Sequence, residues 1–360
     1  MNRPGRPASR WLLLLFLVGT FVSADESLYY PAASDGGPNA SLVIHGALDL
    51  PQMSPLLEGF HRQNPGLEVH YRNLTTLALH ERFLAAPDEA DVLLSSAMPW
   101  QYRLANAGHA RSLDSPAAYR WPAWARWRHE LFAITFEPIV MVVNETVIER
   151  FGEVRGHADL LALLERHAET LQGKVVTYDP AISGAGYTYA IEESRLSPRY
   201  WDLVAALGQA DTELVETTGA MLEGLIEGRY LVGYNLLGSY ARARLADQPQ
   251  LRIVMPEDYT LVTQRLALIP HQAPHPAAAE RFMDYLIDKT GQTVLARETS
   301  LGAIHPALEG AGTATSLRQE RGETLRPIIL GPSLLATLDD LKREALLSRW
   351  QREFSRRASR

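Results

Sequence analysis

The residues best suited to bind a ligand lie in residues 179–187, which read Asp-Pro-Ala-Ile-Ser-Gly-Ala-Gly-Tyr. Ser183, Gly184 and Ala185 open a predicted helix, and the first N–H groups of a helix have no acceptor within it. Small side chains let a ligand approach the backbone, and Ser183 adds a hydroxyl. The segment is typical of an anion-binding turn, although an ordinary capped helix start explains it equally well.

Short polar turns also follow other predicted strands. These turns contain His45 and Gly46, Ser95 and Ser96, Thr217 and Thr218, and Tyr234 and Asn235. The threonine pair opens a predicted helix, and Asn235 adds a side-chain amide. Capping or an ordinary strand end explains each turn taken alone. Together they predict a cleft at the carboxyl ends of strands, where α/β proteins bind ligands.

The motifs of common enzymes are absent from the sequence. It contains no Gly-x-Ser-x-Gly elbow, no His-Glu-x-x-His, no phosphate-binding P-loop and no Gly-x-Gly-x-x-Gly after a strand. His271 and His275 lie among prolines, which favours a loop over a metal site. A secreted α/β hydrolase is therefore disfavoured, because no pair of nucleophile and base is evident.

The elements that would position these turns alternate between strand and helix. Strands are predicted at 41–46, 67–71 and 90–94, with helices at 53–62 and 77–86 between them. This β-α-β-α-β order predicts a mostly parallel sheet covered by helices. A second α/β unit follows, with helices and strands up to about residue 234.

The strand-like segments 132–143 and 258–270 are predicted to cross between two lobes, which would leave a hinged cleft between them. The predicted organisation is a flexible leader at 25–40, a first lobe at 41–135 and 265–310, a second lobe at 136–264, and a helical tail at 311–360. The tail is expected to pack along the outside.

Length, charge and cysteine content limit the possible functions. The 360 residues are enough for two cores, and the absence of cysteine excludes disulfides and thiol catalysis. The formal net charge of −7 argues against a nucleic-acid-binding protein.

Residues 1–24 have the features of a secretory signal peptide. Arg3, Arg6 and Arg10 precede an apolar stretch that ends in Val22-Ser23-Ala24, so cleavage is expected after Ala24. The apolar stretch is too short for a transmembrane helix, which needs about 20 residues. Export to the periplasm is therefore predicted.

Several of these segments form a combination found in one protein family. They are 43–47, 90–96, 136–139, 178–187, 219–222, 234–240 and 256–260. In them the sequence resembles the extracellular solute-binding proteins of ABC importers, in the branch that includes the ferric-ion-binding proteins. Within that branch it is most similar to phosphoglycerate transport regulatory proteins and to binding proteins encoded beside sensor kinases.

The resemblance implies a type II periplasmic-binding-protein-like fold, in which two α/β lobes are joined by two crossing strands. It also implies a binding protein with neither catalysis nor a cofactor. In the ferric relatives a Ser-Gly-Ala turn and nearby asparagines hold an anion, and this sequence keeps them as Ser183-Gly184-Ala185 and Asn235. The same relatives bind iron through two adjacent tyrosines soon after that asparagine, with a His and a Glu from the first lobe. Here these positions carry Leu236, Leu237 and Gly238, and Ser95-Ser96. The resemblance therefore implies that the anion half of the site remains and the iron ligands do not.

The functional hypothesis is a monomeric solute-binding component of an ABC importer that delivers its ligand to an inner-membrane permease. The ligand is expected to be a small organophosphate or phosphonate similar to phosphoglycerate. The alternative is a periplasmic regulatory protein that reports ligand occupancy to a membrane histidine kinase.

Overall fold

A computed structural model describes residues 26–33 and 41–356 of the chain. The predicted signal peptide 1–24 and its cleavage site lie outside the described residues.

Strands and helices alternate through most of the described chain. The strands are β1 (Ser27–Tyr30), β2 (Ser41–Gly46), β3 (Glu68–Asn73), β4 (Val92–Ser95), β5 (Arg126–Trp127), β6 (Leu131–Ala133), β7 (Glu137–Asn144), β8 (Val175–Tyr178), β9 (Glu213–Val215), β10 (Val232–Leu237), β11 (Leu251–Val254), β12 (Thr260–Thr263), β13 (Leu266–Leu268) and β14 (Leu325–Pro327). The helices are α1 (Leu50–Gln63), α2 (Thr76–Ala85), α3 (Met98–Asn106), α4 (Pro116–Arg120), α5 (Glu145–Phe151), α6 (His157–His167), α7 (Gly184–Leu196), α8 (Tyr200–Gln209), α9 (Thr218–Ile226), α10 (Gly238–Arg244), α11 (Pro276–Ile287), α12 (Lys289–Glu298), α13 (Ala314–Arg321) and α14 (Asp340–Phe354). Short 3-10 helices span Ala123–Ala125, Gly322–Thr324 and Pro332–Thr337.

Each lobe is built on one mixed sheet. The first sheet has the strand order β1-β3-β2-β4-β13-β6-β5. The second has the order β14-β12-β7-β10-β8-β9, and β11 pairs with β7. The two-lobed α/β architecture predicted from the sequence is therefore confirmed. The prediction of a mostly parallel first sheet is wrong, because β1, β13, β6 and β5 add antiparallel pairs at both sides of the parallel set β3-β2-β4.

The parallel strands of both sheets end at the boundary between the lobes. In the first sheet β2, β3 and β4 run parallel, and in the second β8, β9 and β10 do so. Because the carboxyl ends of parallel strands share one edge of a sheet, the loops that follow them meet in one place. Alternating βα units thus bring segments distant in sequence to a common cleft.

The chain passes between the lobes at short extended segments. Residues 134–136 separate β6 from β7, and residues 264–265 separate β12 from β13. The long strand predicted at 132–143 is accordingly two strands that belong to different sheets.

The tail is part of the fold and does not simply pack along its outside. Its strand β14 pairs parallel with β12 and so extends the second sheet. Between α12 and β14, Ala303 forms an isolated β-bridge with Thr135 of the first crossing segment. The 3-10 helix Pro332–Thr337 contacts α3 of the first lobe, and α14 packs on α8 of the second. Leu334 and Trp350 are buried in these contacts. The tail therefore adds a further connection between the lobes, which the sequence analysis did not predict.

The prediction of a flexible leader at 25–40 is wrong for residues 27–30. Residues Ser27–Tyr30 form β1, which pairs antiparallel with β3 through the register Leu28 with Tyr71. Leu28 and Tyr30 face the core, whereas Tyr29 lies on the exposed side. This alternation is the ordinary pattern of an edge strand.

The region after β13 contains two successive helices, α11 and α12. Asp288 ends α11 and caps α12, since its carboxylate accepts a hydrogen bond from the Thr290 N–H at 3.2 Å. In the tail predicted to be helical, the last elements are the 3-10 helix Pro332–Thr337 and α14, which Asp339 caps.

Candidate functional site

A cavity of about 400 Å³ lies between the lobes, at the ends of the parallel strands. Its lining residues lie at or just after the ends of strands: Ala47 and Asp49 for β2, Asn73 to Thr76 for β3, Ser96 for β4, Tyr178 and Ser183 for β8, Glu216 and Thr217 for β9, and Leu237 for β10, with Tyr240 in α10. A cavity of this volume is in the range of small-molecule sites.

Helices α2, α7 and α9 begin at this cavity. The side chains of their N-cap residues, Thr75, Ser183 and Thr217, accept hydrogen bonds from N–H groups of the first turn at 3.1–3.2 Å. All three caps line the cavity. The positive ends of these helix dipoles therefore point to one volume, with α2 from the first lobe and the others from the second.

The second residue of two of these helices offers a free N–H group. Ala185 in α7 and Gly219 in α9 line the cavity, and neither backbone N–H has an acceptor among the described residues. At Gly219 a side chain would meet only the Thr217 hydroxyl, at 3.7 Å, so the backbone there is open to a ligand. Such groups are ready donors for an oxyanion.

Arg265 contributes a buried cation between the helix starts. Its side chain is 1% exposed, and its Nε donates to Glu137 Oε1 at 2.9 Å while its Nη1 donates to the Ala47 carbonyl. Its Nη2 has no partner among the described residues, although the residue lines the cavity. A buried donor of a charged group that lacks a hydrogen-bond partner lowers the stability of the fold, so an acceptor that reaches this nitrogen would be stabilised.

Buried partners fix the position of Arg265. Glu137 also accepts hydrogen bonds from Thr135, at 2.7 Å, and from Ser239. Burial alone would lower the pKa of Arg265, but the neighbouring charge of Glu137 leads the effects that raise it above its ordinary value. Thr135, Glu137 and Arg265 all belong to or adjoin the two crossing segments, so the ion pair lies in the hinge.

Carboxylates also line the cavity. They are those of Glu26, Asp49 and Glu216. Burial raises the pKa of Asp49. The positive charge of Arg265 opposes this effect, and the negative charge of Glu26 adds to it. The backbone N–H of Asp49 donates to the Tyr240 hydroxyl at 3.0 Å, which links α1 of the first lobe to α10 of the second.

The lobes also meet where α2 faces α7. The N–H of Gly184 donates to Thr76 Oγ1 at 3.3 Å, and Gly184 lies against the ring of Trp100. The structure therefore shows the lobes in contact across the cleft.

The predicted site residues divide into those at the cavity and those away from it. Ser96, Ser183, Ala185, Thr217 and Thr218 line it, and Gly184 lies at its edge. Thr218 shares a hydrogen bond with Tyr178, whose pKa burial raises to about 12.

The residues predicted on β2 and at the end of β4 do not reach the cavity. Ser95 is buried, and its hydroxyl accepts a hydrogen bond from the Ala97 N–H at 3.1 Å. Gly46 lies under the ring of Tyr71, and His45 is buried in the sheet. The cleft begins one residue later, at Ala47.

Tyr234 and Asn235 do not line the cavity either. Both side chains donate to Glu193 Oε2, at 2.6 and 2.9 Å, inside the second lobe. The register of β10 shifts between Gly233 and Leu236, and Asn235 has a positive φ of 66°. This bulge turns the amide away from the cleft. The prediction placed the strand end at Tyr234, but β10 continues to Leu237, which does line the cavity.

The charged residues of the cleft were not among the site residues predicted from the sequence. Arg265 stands in the polar run Thr263-Gln264-Arg265, which interrupts an otherwise apolar segment, and this interruption was the available signal. Asp49, at the start of α1, resembles an ordinary N-cap in sequence, yet its side chain makes no capping hydrogen bond.

Among residues 26–33 and 41–356, no helix has the length and apolar character needed to cross a membrane. The same residues contain no group of three His, Asp or Glu side chains placed to hold a metal ion.

Comparison with known proteins gives matches over most of the chain. A family model described as bacterial extracellular solute-binding protein matches residues 50–298. No curated protein sequence matches. The crystal structure of the substrate binding protein of an ABC transporter from Agrobacterium tumefaciens is 34% identical, with 92% of this chain and 98% of that chain covered and a TM-score of 0.88.

More distant structures share the fold. Iron-bound HitA from Pseudomonas aeruginosa is 17% identical, with 87% of this chain and 99% of that chain covered and a TM-score of 0.68. AfuA from Actinobacillus pleuropneumoniae, with exogenous fructose-6-phosphate bound, is 17% identical, with 89% and 99% covered and a TM-score of 0.67.

Proposed function

Because the chain belongs to the bacterial extracellular solute-binding proteins, which are exported binding components of ABC-type transporters, we propose that its interlobe cleft binds a small solute with an oxyanion group. The solute class is an organophosphate or phosphonate, with phosphoglycerate among the candidates. The bound solute is delivered to a permease in the inner membrane. The proposal includes export by the signal peptide 1–24 with cleavage after Ala24.

The observation that carries this proposal is the convergence of helix starts and a buried arginine on one cavity. Ser183 and Ala185 at the start of α7, Thr217 and Gly219 at the start of α9, and Arg265 all line the same cavity. A helix start contributes about 0.3–1 kcal/mol to binding a negative charge, and a hydrogen bond to a charged group about 1.5–3 kcal/mol.

The tyrosines of the cleft favour an oxyanion over ferric iron. Iron(III) requires anionic oxygen donors such as phenolates. Tyr178 shares a hydrogen bond with Thr218, and the Tyr240 hydroxyl accepts one from the Asp49 N–H, so these two phenols already have partners within the protein. Neutral hydroxyls can instead donate hydrogen bonds to a phosphate or phosphonate.

The role in import follows from the transporter protein of Agrobacterium tumefaciens, which covers nearly the whole chain. We therefore propose import rather than signalling to a histidine kinase. The AfuA structure supports the ligand class only in that a protein of this fold binds a sugar phosphate.

Thermal unfolding of the exported protein in the presence of candidate solutes tests the proposal. The panel contains 3-phosphoglycerate, small alkyl phosphonates, phosphoethanolamine, inorganic phosphate and ferric citrate. A solute that binds only the native state stabilises it by about 2.7 kcal/mol at a hundredfold excess over its Kd. We expect at least one phosphorus oxyanion to raise the melting temperature. A shift with ferric citrate alone, or with none of the phosphorus compounds, would contradict the proposal.

A further inference from the structure

We propose that the solute also carries an ammonium group, which the carboxylates of Asp49 and Glu26 bind while its oxyanion lies at the helix starts and Arg265. This inference rests on the proposed function and narrows its ligand class to zwitterionic phosphate or phosphonate esters of amino alcohols and related aminoalkyl compounds. It also makes Asp49 a specificity-determining residue.

The carboxylates lie together on the first-lobe side of the cavity. Asn73, at the end of β3, connects them: its N–H donates to the Glu26 carbonyl at 2.8 Å, and its side-chain amide lies 3.4 Å from Glu26 Oε2. Asp49 follows the neighbouring strand β2, and the charge of Glu26 acts on it. The oxyanion donors Ala185 and Gly219 belong to the second lobe, across the cavity from Asp49 and Glu26.

The described part of the protein supplies no basic ion-pair partner to Asp49. Within residues 26–33 and 41–356 its carboxylate forms no salt bridge, and its polar neighbours other than Arg265 include the neutral side chains of Tyr240 and Asn73. Arg265 is close enough to influence Asp49, but its hydrogen bonds go to Glu137 and Ala47. The Asp49 carboxylate is also free of the helix-capping role that its position suggests.

The charges of the cavity wall do not suit a ligand that is only negative. In the described part of the chain, the cavity wall contains one positively charged residue, Arg265, and three acidic residues, Glu26, Asp49 and Glu216. Arg265 also forms an ion pair with Glu137, which offsets its positive charge. A second negative group, such as the carboxylate of phosphoglycerate, would be repelled by Asp49. An ammonium group has three N–H donors and a positive charge, and therefore satisfies these oxygens.

The buried arginine gives independent evidence that the cavity has an occupant. Its Nη2 is a donor with no partner in the described chain, within a side chain that is 1% exposed. Buried donors of this kind are nearly always satisfied. Arg265 lines the same cavity as Asp49 and Glu26, so one small molecule with both charges can complement both.

Isothermal titration calorimetry with matched probes tests the inference. O-Phosphoethanolamine carries the phosphate and the ammonium group, ethyl phosphate lacks only the amine, and ethanolamine lacks only the phosphate. We expect the exported wild-type protein to bind O-phosphoethanolamine at least about tenfold more tightly than ethyl phosphate. We expect ethanolamine to bind more weakly than either.

The substitution Asp49→Asn removes the negative charge of this side chain and keeps nearly the same shape. It should reduce the preference for O-phosphoethanolamine to about threefold or less, while ethyl phosphate binds as well as before or better. Glu81→Gln, which removes an exposed carboxylate from the side of α2, is the control and should leave both affinities unchanged. The melting temperature of each variant without ligand checks folding, and Glu26→Gln provides a second test outside α1.

The outcomes distinguish the two proposals. Equal affinities for O-phosphoethanolamine and ethyl phosphate in the wild type, or a preference that survives both Asp49→Asn and Glu26→Gln, overturn the ammonium site and leave the oxyanion site intact. Failure of both phosphate probes to bind, or binding of ethanolamine as tightly as O-phosphoethanolamine, overturns the oxyanion site and the inference with it.

Discussion

At the scale of single residues, similar side chains serve different roles according to where each strand ends. Ser183 and Thr217 cap helices and still face the cavity, because each stands directly at a helix start after a parallel strand. Ser95 also accepts a backbone hydrogen bond, but it lies one residue too early and is enclosed in the sheet. A shift of one residue, from Ser95 to Ser96, thus decides whether a serine lines the cavity.

Ser183→Ala should weaken binding of the phosphorus oxyanion by about 1–3 kcal/mol, because it removes a hydroxyl that can donate to the ligand and loosens the first turn of α7. Calorimetry on the two proteins measures the difference. Ser194→Ala, near the other end of the same helix, removes only a bond to the Ile191 carbonyl and serves as the control. Equal affinity in Ser183→Ala and the wild type would refute the role of this hydroxyl.

Asn235→Gly should lower the free energy of unfolding and leave ligand affinity unchanged. Glycine accepts the positive φ of 66° at this position, so the main loss is the hydrogen bond to buried Glu193. The expected cost is about 1–3 kcal/mol, measured by denaturant unfolding. If affinity falls with stability unaltered, the amide contacts the ligand as the resemblance had implied.

The sequence predicted the hydroxyl and small-residue turns of the cleft because these follow directly from the ends of predicted strands. It did not predict Arg265, whose role depends on Glu137, a residue 128 positions away that is joined to it only in the folded hinge. Nor did it place Asn235 correctly, since a β-bulge is a local irregularity that alternation of side chains does not reveal.

At the scale of elements, a network of polar side chains fixes helix α6 and helix α7 to the strands of the second lobe. His157, at the start of α6, lies 2.9 Å from Asp258 Oδ1 and 3.2 Å from Glu193 Oε1, and its ring stacks on Tyr259 at 4.0 Å. Glu193 comes from α7 and also holds Tyr234 of β10. The network therefore ties together elements whose other ends face the cleft.

The stability of the protein should fall as pH rises through the range in which His157 loses its proton. Burial opposes its charge, but Asp258 and Glu193 raise its pKa from 6.5 to about 9. The stabilisation is therefore complete below pH 6.5 and is lost as pH rises through about 9. The loss amounts to roughly 3 kcal/mol relative to a protein without this histidine.

Denaturant unfolding of the wild type and of His157→Gln between pH 6 and about 9.5 measures this contribution. The difference in unfolding free energy between the two proteins should shrink as pH rises. A difference that stays constant over this range would show that His157 is not protonated in the native state.

Most helices and strands follow from local sequence patterns, and strand β2 occupies the residues predicted for it. The elements that were missed are stabilised by distant partners. Strand β1 needs the open edge of β3, and β14 needs β12, which lies more than sixty residues earlier. Local periodicity does not contain these partners, which explains why the leader and tail were predicted as separate from the lobes.

At the scale of the whole molecule, crossing segments and a tail connect two lobes that enclose the ligand site. Residues 134–136 and 264–265 form the crossings, and the buried Arg265–Glu137 pair lies at them. The tail spans both lobes, because β14 and α14 belong to the second and the 3-10 helix Pro332–Thr337 touches the first. Opening of the cleft must therefore separate that 3-10 helix from α3 or bend the tail.

Ligand binding should draw the lobes together as rigid bodies and favour the arrangement in which Gly184 reaches Thr76. Small-angle scattering should show a smaller radius of gyration with saturating ligand than without it. An unchanged radius together with calorimetrically proven binding would mean that the lobes do not move about the crossings.

The most direct test of the central claim is a crystal structure of the exported protein with the phosphorus compound that stabilises it most. The account predicts the oxyanion in the interlobe cavity, with its oxygens within about 3.2 Å of the Arg265 Nη2 atom and of the N–H group of Ala185 or Gly219. An oxyanion bound outside the cavity, or bound within it without contact to either helix start or to Arg265, would contradict the account.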